Sequence, residues 1–255
     1  METKKDNVLT LLLIIVIVII VGIIGYLGFE VINGNIKQSQ SEEITDEFDS
    51  LVPTITEEEL QETLNNDGEN QTTSENNGNS ENTTNNNGNS NNSSGSSNKG
   101  NSGGSSSSSG GSAYSASGVY INGLWTVGTI RIPATGIRYS IFSEPTTKAL
   151  DKGVCIVYTA NGLNQPGNTV IAGHNYRNKL FFSKNKNLVV GNLIMIKDTS
   201  GVEVTYEIYN KFITYESDAS FYQRDTGGKR EINLSTCTDD GTKTGRRIII
   251  SAREK

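Results

Sequence analysis

Histidine occurs once in this chain of 255 residues, at position 174, and cysteine only twice, at 155 and 237. A single histidine among scattered carboxylates offers no ligand spacing for zinc, so no metal is expected, nor any other cofactor. The two cysteines could form one disulfide in an exported protein. Cys155, however, lies inside the apolar run Val154-Cys155-Ile156-Val157, which directs it into a core, so two free thiols are expected. Positive charge is scarce in the first part of the chain: through Ala113 there are 4 Lys+Arg against 16 Asp+Glu, whereas from Tyr114 onward there are 18 against 12. The basic residues of that second part are dispersed and form no nucleic-acid motif, which argues against DNA or RNA as a partner. A basic domain facing outward suits anionic wall polymers or lipid head groups.

Residues 8–27 form an almost purely aliphatic run, long enough to cross a bilayer as one helix. No small-residue cleavage site follows it, so it reads as an uncleaved signal anchor and not as a removed signal peptide. Lys4 and Lys5 before it and Glu30 after it place the N-terminus in the cytoplasm and the rest of the chain outside. The expected organisation is a cytoplasmic stub and anchor at 1–30, an acidic juxtamembrane segment at 31–65, an Asn/Ser/Gly-rich disordered linker at 66–113 and a folded domain at 114–255. The acidic segment reads as a solvated tether, with a short helix over 54–64 as its one ordered candidate. About 50 residues of Gly-rich coil would reach roughly 40 Å, enough to hold a domain off the membrane.

The folded part reads as all-β with short helices. Strands are predicted over 127–133, 137–142, 153–158, 169–173, 193–197, 202–214, 232–237 and 247–253, the sixth being either two strands or one bent one. Helical turns are expected over 146–152 and around 181–188. Short strands at even spacing point to a closed barrel or a sandwich.

Three predicted strand ends carry chemistry. The run Glu231-Ile232-Asn233-Leu234-Ser235-Thr236-Cys237 delivers a thiol to a turn-rich Thr238-Asp239-Asp240-Gly241. Val170-Ile171-Ala172-Gly173 runs into His174, and Arg247 opens Ile248-Ile249-Ile250. A thiolate can attack an acyl carbon, an imidazole can pass a proton to a leaving amine, and a guanidinium can steady an oxyanion. Leu234, Thr236 and Cys237, then Ala172-Gly173-His174, then Arg247 with Ala252 five positions on, resemble the sortase family, whose signature is a T-L-x-T-C strand end, an A-G-H strand end and an arginine opening the last strand. Asn233 stands where the family usually has threonine, and Arg246 competes with Arg247 for the last role.

The resemblance covers about half the chain and implies a closed sortase-like eight-stranded β-barrel, preceded here by the transmembrane helix and the disordered linker. It implies a cysteine transpeptidase with Cys237 as nucleophile, His174 as general acid and base, Arg247 as oxyanion stabiliser, and Ser235 and Thr236 as substrate contacts. Its substrates would be secreted proteins carrying a C-terminal sorting motif, joined to an amine of a cell-wall precursor or of another surface subunit. Some sortases bind calcium through acids in the loop before the histidine strand; here 158–168 contains no Asp or Glu, so calcium dependence is not expected. No second apolar run follows the domain, which favours wall anchoring over pilin polymerisation. The rival from another class is a non-catalytic β-domain that binds surface partners from a stalk, with Cys237 structural. An L,D-transpeptidase fits less well, because His174 and Cys237 are 63 residues apart.

Overall fold

The computed structural model describes residues 2–55, 59 and 117–255, so the expected linker at 66–113 lies outside the described residues, as does most of the helix expected over 54–64. The chain begins with one helix, α1 (Glu2–Leu51), whose first half is the aliphatic run. Val and Ile are mediocre helix formers in water, but inside a bilayer the backbone must satisfy its own hydrogen bonds, and a helix does so locally. It is the one helix among the described residues long and apolar enough to cross a membrane.

The solvated tether expected after the anchor is instead the second half of α1. Gly34, Ser41, Ile44, Thr45 and Phe48 are buried at helical spacing, and Val52 continues the stripe just past the helix end. Ile44, Phe48 and Val52 pack with Ile121, Leu124, Phe142, Ala149 and Cys155 in a small core of their own. Asp46 and Asp49, which lie between them, face basic partners: Arg138 reaches Asp46 at 2.6 Å and Asp49 at 2.5 Å, and the buried Lys197 lies 2.6 Å from Asp49. Lys197 also donates to the Val52 carbonyl at 2.6 Å, next to the helix C-terminus, where a cation is favoured. Part of the charge division along the sequence is therefore complementarity between two packed surfaces.

The folded domain has nine strands: β1 (Val119–Ile121), β2 (Leu124–Ile132), β3 (Ile137–Phe142), β4 (Val154–Thr159), β5 (Gly167–Ala172), β6 (Leu193–Asp198), β7 (Glu203–Tyr215), β8 (Arg230–Cys237) and β9 (Arg246–Glu254). Their order is β1-β2-β3-β4-β5-β8-β9-β7-β6, and a further β2–β6 pairing closes the sheet. Eight strands thus make the expected closed barrel, and β1 is a short edge piece paired with β2 outside it. Two pairings are parallel, β3 with β4 and β5 with β8; the others are antiparallel. Strand β7 is one strand bent by a bulge between Ile208 and Asn210. A short helix α2 (Thr147–Leu150), capped by the Thr146 side chain, joins β3 to β4, and α3 (Gly241–Thr244) joins β8 to β9. The barrel interior is filled mainly by branched aliphatics such as Ile130, Ile141, Ile171, Ile194, Leu234 and Ile250.

Candidate active site

Adjacent strands bring the three sequence candidates together. Strands β5 and β8 run parallel in a register that pairs Ala172 with Ser235, and Gly173 N–H continues it by donating to the Ser235 carbonyl at 3.1 Å. Two places further along, the same register sets His174 beside Cys237. On the other side of β8, the antiparallel β9 pairs Cys237 with Arg247. Directly opposed residues share a face of the sheet. Arg247 Nη1 accordingly donates to Cys237 Sγ at 2.7 Å. Arg246, one residue earlier, points elsewhere and lies 3.9 Å from Asp240.

Glycine makes two of these approaches possible. A Cβ on Gly173 would lie 2.8 Å from both the Phe182 ring and Val154, and one on Gly241 would lie 2.9 Å from the Cys237 Cβ. A side chain at Gly173 would displace Phe182 or Val154, and one at Gly241 would displace Cys237 or the Arg246 backbone.

Cys237 is partly exposed and unbonded to Cys155, which is fully buried. Burial pushes the Cys155 thiol up to about 12, so that cysteine is inert. His174 is partly buried, and burial is the main cause that holds its imidazole below the usual value. Asp151 opposes that shift, while Lys37 and Arg247 add to it. Its ring lies 4.8 Å from the ring of Tyr176, and its carbonyl accepts from Phe182 N–H at 3.0 Å.

A groove of about 280 Å³ opens beside these residues, lined by Ala172, Gly173, His174, Ser235 and Arg247 on the barrel side and by Pro145, Leu150, Val157, Phe221 and Tyr222 as its apolar walls. Ser235 is thus a groove residue. Thr236 is buried, and its hydroxyl donates to the Gly173 carbonyl at 2.7 Å, so it ties together the strand ends that carry His174 and Cys237.

Several participants had no signal in the sequence. Glu216 accepts from Arg247 Nη2 at 3.0 Å and fixes the second prong of the guanidinium. Asn175 Nδ2 donates to the Cys237 carbonyl at 2.9 Å. Asn233, the departure from the family pattern, is buried and donates to Asn168 Oδ1 at 2.7 Å; Asn168 Nδ2 in turn donates to the carbonyls of Phe221 and Tyr222 at 2.8 and 2.7 Å. The substitution therefore belongs to a buried network that holds the groove wall. Trp125 lines a separate cavity of about 660 Å³ with Tyr120 and Lys148.

Residues 130–255 match the family model described as the sortase domain. This chain carries a sortase domain. Solved structures similar to it include sortase A of Listeria monocytogenes, 21% identical over 51% of this chain and 87% of that one, with a TM-score of 0.45. A sortase D5 transpeptidase of Clostridium perfringens is 26% identical over 51% and 79% of the two chains, TM-score 0.45. Sortase C-1 of Actinomyces oris is 19% identical over 51% and 72%, TM-score 0.47. A comparison with curated proteins gave no match. The sortase family is one of cysteine transpeptidases, and the candidate thiol, imidazole and guanidinium stand at the ends of adjacent strands of this domain.

Proposed function

We propose that this chain is a membrane-anchored cysteine transpeptidase that cleaves a sorting motif in secreted proteins and transfers the acyl part to an amine of the cell wall. The observation that carries the reading is the 2.7 Å contact from Arg247 Nη1 on β9 to Cys237 Sγ on β8, the strand that pairs with the one leading into His174. Cys237, as thiolate, adds to a backbone carbonyl of the substrate. Arg247 already donates at that point and can donate to the carbonyl oxygen as it gains charge. The C–N bond then breaks, His174 as imidazolium gives its proton to the leaving amine, and a thioester to Cys237 remains. An acceptor amine adds to the thioester, neutral His174 takes its proton, and the C–S bond breaks to release a new amide and the thiolate. The apolar groove walls and Ser235 would receive the substrate segment, with Thr236 keeping the two strand ends in place.

The same reading puts residues 8–27 in the bilayer, with Lys4 and Lys5 on the cytoplasmic side and the barrel outside. Helix α1 first meets the barrel near Gly34, where an added Cβ would lie 3.1 Å from Asn178 Nδ2. At 1.5 Å per residue that is only about 10 Å beyond Leu27, so the domain would sit close to the membrane surface, held by the helix and not by the length of the linker.

The test is acyl-enzyme trapping: the protein is incubated with a peptide library lacking a good acceptor and analysed by mass spectrometry. A thioester adduct on Cys237 that is lost in Cys237→Ala supports the reading. Equal, slow modification of both cysteines with no adduct would leave a surface-binding domain in its place.

A further inference from the structure

Lys37 stands on the second half of α1, yet its side chain ends beside Tyr176, whose ring packs against that of His174. Its Nζ donates to Asp151 Oδ1 at 2.7 Å and to the Tyr176 hydroxyl at 3.4 Å, and it lies 4.7 Å from the Tyr176 ring centroid. The Tyr176 hydroxyl donates to the same Asp151 oxygen at 2.6 Å. The other edge of this cluster is the imidazole: the Tyr176 and His174 rings are 4.8 Å apart and inclined at 35°. Phe181 packs against Tyr176 at 5.8 Å, leaving the phenol little room to turn. The three residues come from the juxtamembrane helix, the end of α2 and the loop after β5, three segments that meet only in the folded chain.

Given the reading above, on which this step rests, we propose that Lys37, Asp151 and Tyr176 form a positioning cluster for His174, so that the docked juxtamembrane helix is part of the catalytic machinery. Tyr176 sets the plane of the imidazole by ring contact, and Asp151 fixes the Tyr176 hydroxyl. Lys37 locks both and neutralises the carboxylate. Detaching α1 removes Lys37 and leaves Asp151 as an unshielded negative charge near the ring.

The charged and titratable groups around His174 are Asp151 from the end of α2, Lys37 from α1, Tyr176 from its own loop, Cys237 from β8 and Arg247 from β9. Asp151 favours the imidazolium; Lys37 and Arg247 disfavour it. Replacing Lys37 by methionine removes a repelling charge and frees an attracting one, so both effects raise the His174 pKa. Asp151→Asn acts in the opposite sense. With Lys37 Nζ no more than about 9.5 Å from the ring centroid, by way of Tyr176, a unit charge in a solvent-like dielectric moves a pKa by at least about 0.3 unit. Above that pKa the imidazolium fraction changes by about twofold or more.

The experiment uses the full chain in nanodiscs with ¹³C-labelled histidine. Since His174 is the only histidine, one ring signal titrates and needs no assignment. The expected result is an upward shift in Lys37→Met, a downward shift in Asp151→Asn and no shift in Lys37→Arg, with the pH profile of transpeptidation displaced in the same directions. A purely structural role for Lys37 would loosen α1 without shifts of opposite sign. Unchanged titration in both variants, or shifts of the same sign, would overturn the cluster even if Cys237-dependent turnover persisted. Opposite shifts in a protein that forms no acyl-enzyme would uphold the cluster's contact with His174 and sink the enzymatic reading instead.

Discussion

Phe48→Ala should release α1 from the barrel without unfolding the barrel. Phe48 is fully buried in a cluster separate from the barrel interior, so the loss falls on the helix-to-barrel contact. Ile44, Phe48 and Val52 together contribute about 5–9 kcal/mol of gross apolar burial, at roughly 1.5–3 kcal/mol each. Truncating the phenylalanine costs about 3–5 kcal/mol once the cavity is included. The docked state would then open at least about a hundredfold more often, each 1.4 kcal/mol being a factor of ten. Cys155 is a built-in reporter: it belongs to the same cluster, is fully buried, and has its thiol pushed up to about 12. In a Cys237→Ser background, labelling of Cys155 by an aromatic disulfide reagent reads the opening directly, and amide hydrogen exchange over 41–52 reads the helix itself. A labelling rate within a factor of two of the parent, with exchange over 41–52 unchanged, would refute the packing argument.

Arg247→Lys keeps the charge but loses the two-pronged geometry that bridges Cys237 and Glu216, and acyl-enzyme formation should fall by about tenfold or more in single-turnover assays. Asn168→Ala leaves the Phe221 and Tyr222 carbonyls and the Asn233 amide without their partner; a loss of about 1–3 kcal/mol in denaturant unfolding and a raised peptide KM are expected. Deleting half of 66–113 should leave peptide cleavage by the full chain unchanged within a factor of two, because α1 and not the linker seats the barrel. Hydrogen bonds from Lys37 and then Tyr176 hold the Asp151 carboxyl below its ordinary value. Its contribution to docking is therefore complete above about pH 3.9 and is lost as pH falls through the lower folded value, so hydrogen exchange over 34–52 should accelerate on acidification and Asp151→Asn should remove part of that acceleration.

The strands were legible because each carries branched aliphatics at the positions it buries and turn-forming residues such as Pro133, Gly173 and Asp239 punctuate several of them. Periodicity and punctuation are local properties, and they sufficed to locate all eight barrel strands. The docked half of α1 was missed for an equally physical reason. Reading 31–65 by composition weighs its acids, whereas the spacing of Gly34, Ser41, Ile44, Thr45 and Phe48 describes a stripe that is narrow and only partly apolar. Such a stripe is stable only against a surface that supplies Arg138, Lys197 and Ser140 in the right places, and Ser140 pairs with Thr45 at 3.0 Å across 95 residues of sequence. No window of sequence contains that surface.

The site divides along the same line. Choosing between Arg246 and Arg247 is a question of strand parity, and parity follows once Cys237 is known to oppose Arg247 in an antiparallel pair. The proximity of His174 to Cys237 is likewise a property of register, since two parallel strands that end together present their next residues side by side. What surrounds those side chains obeys no such rule. Glu216 meets Arg247 from the far end of β7, and Lys37 meets Asp151 across 114 residues. The sheet fixes where the candidate groups stand, whereas their charge environment is assembled from loops and from a helix whose first half is long and apolar enough to cross a membrane. For that reason a barrel separated from α1 is expected to keep its fold and its Cys237–Arg247 contact yet differ from the intact protein in the protonation of His174.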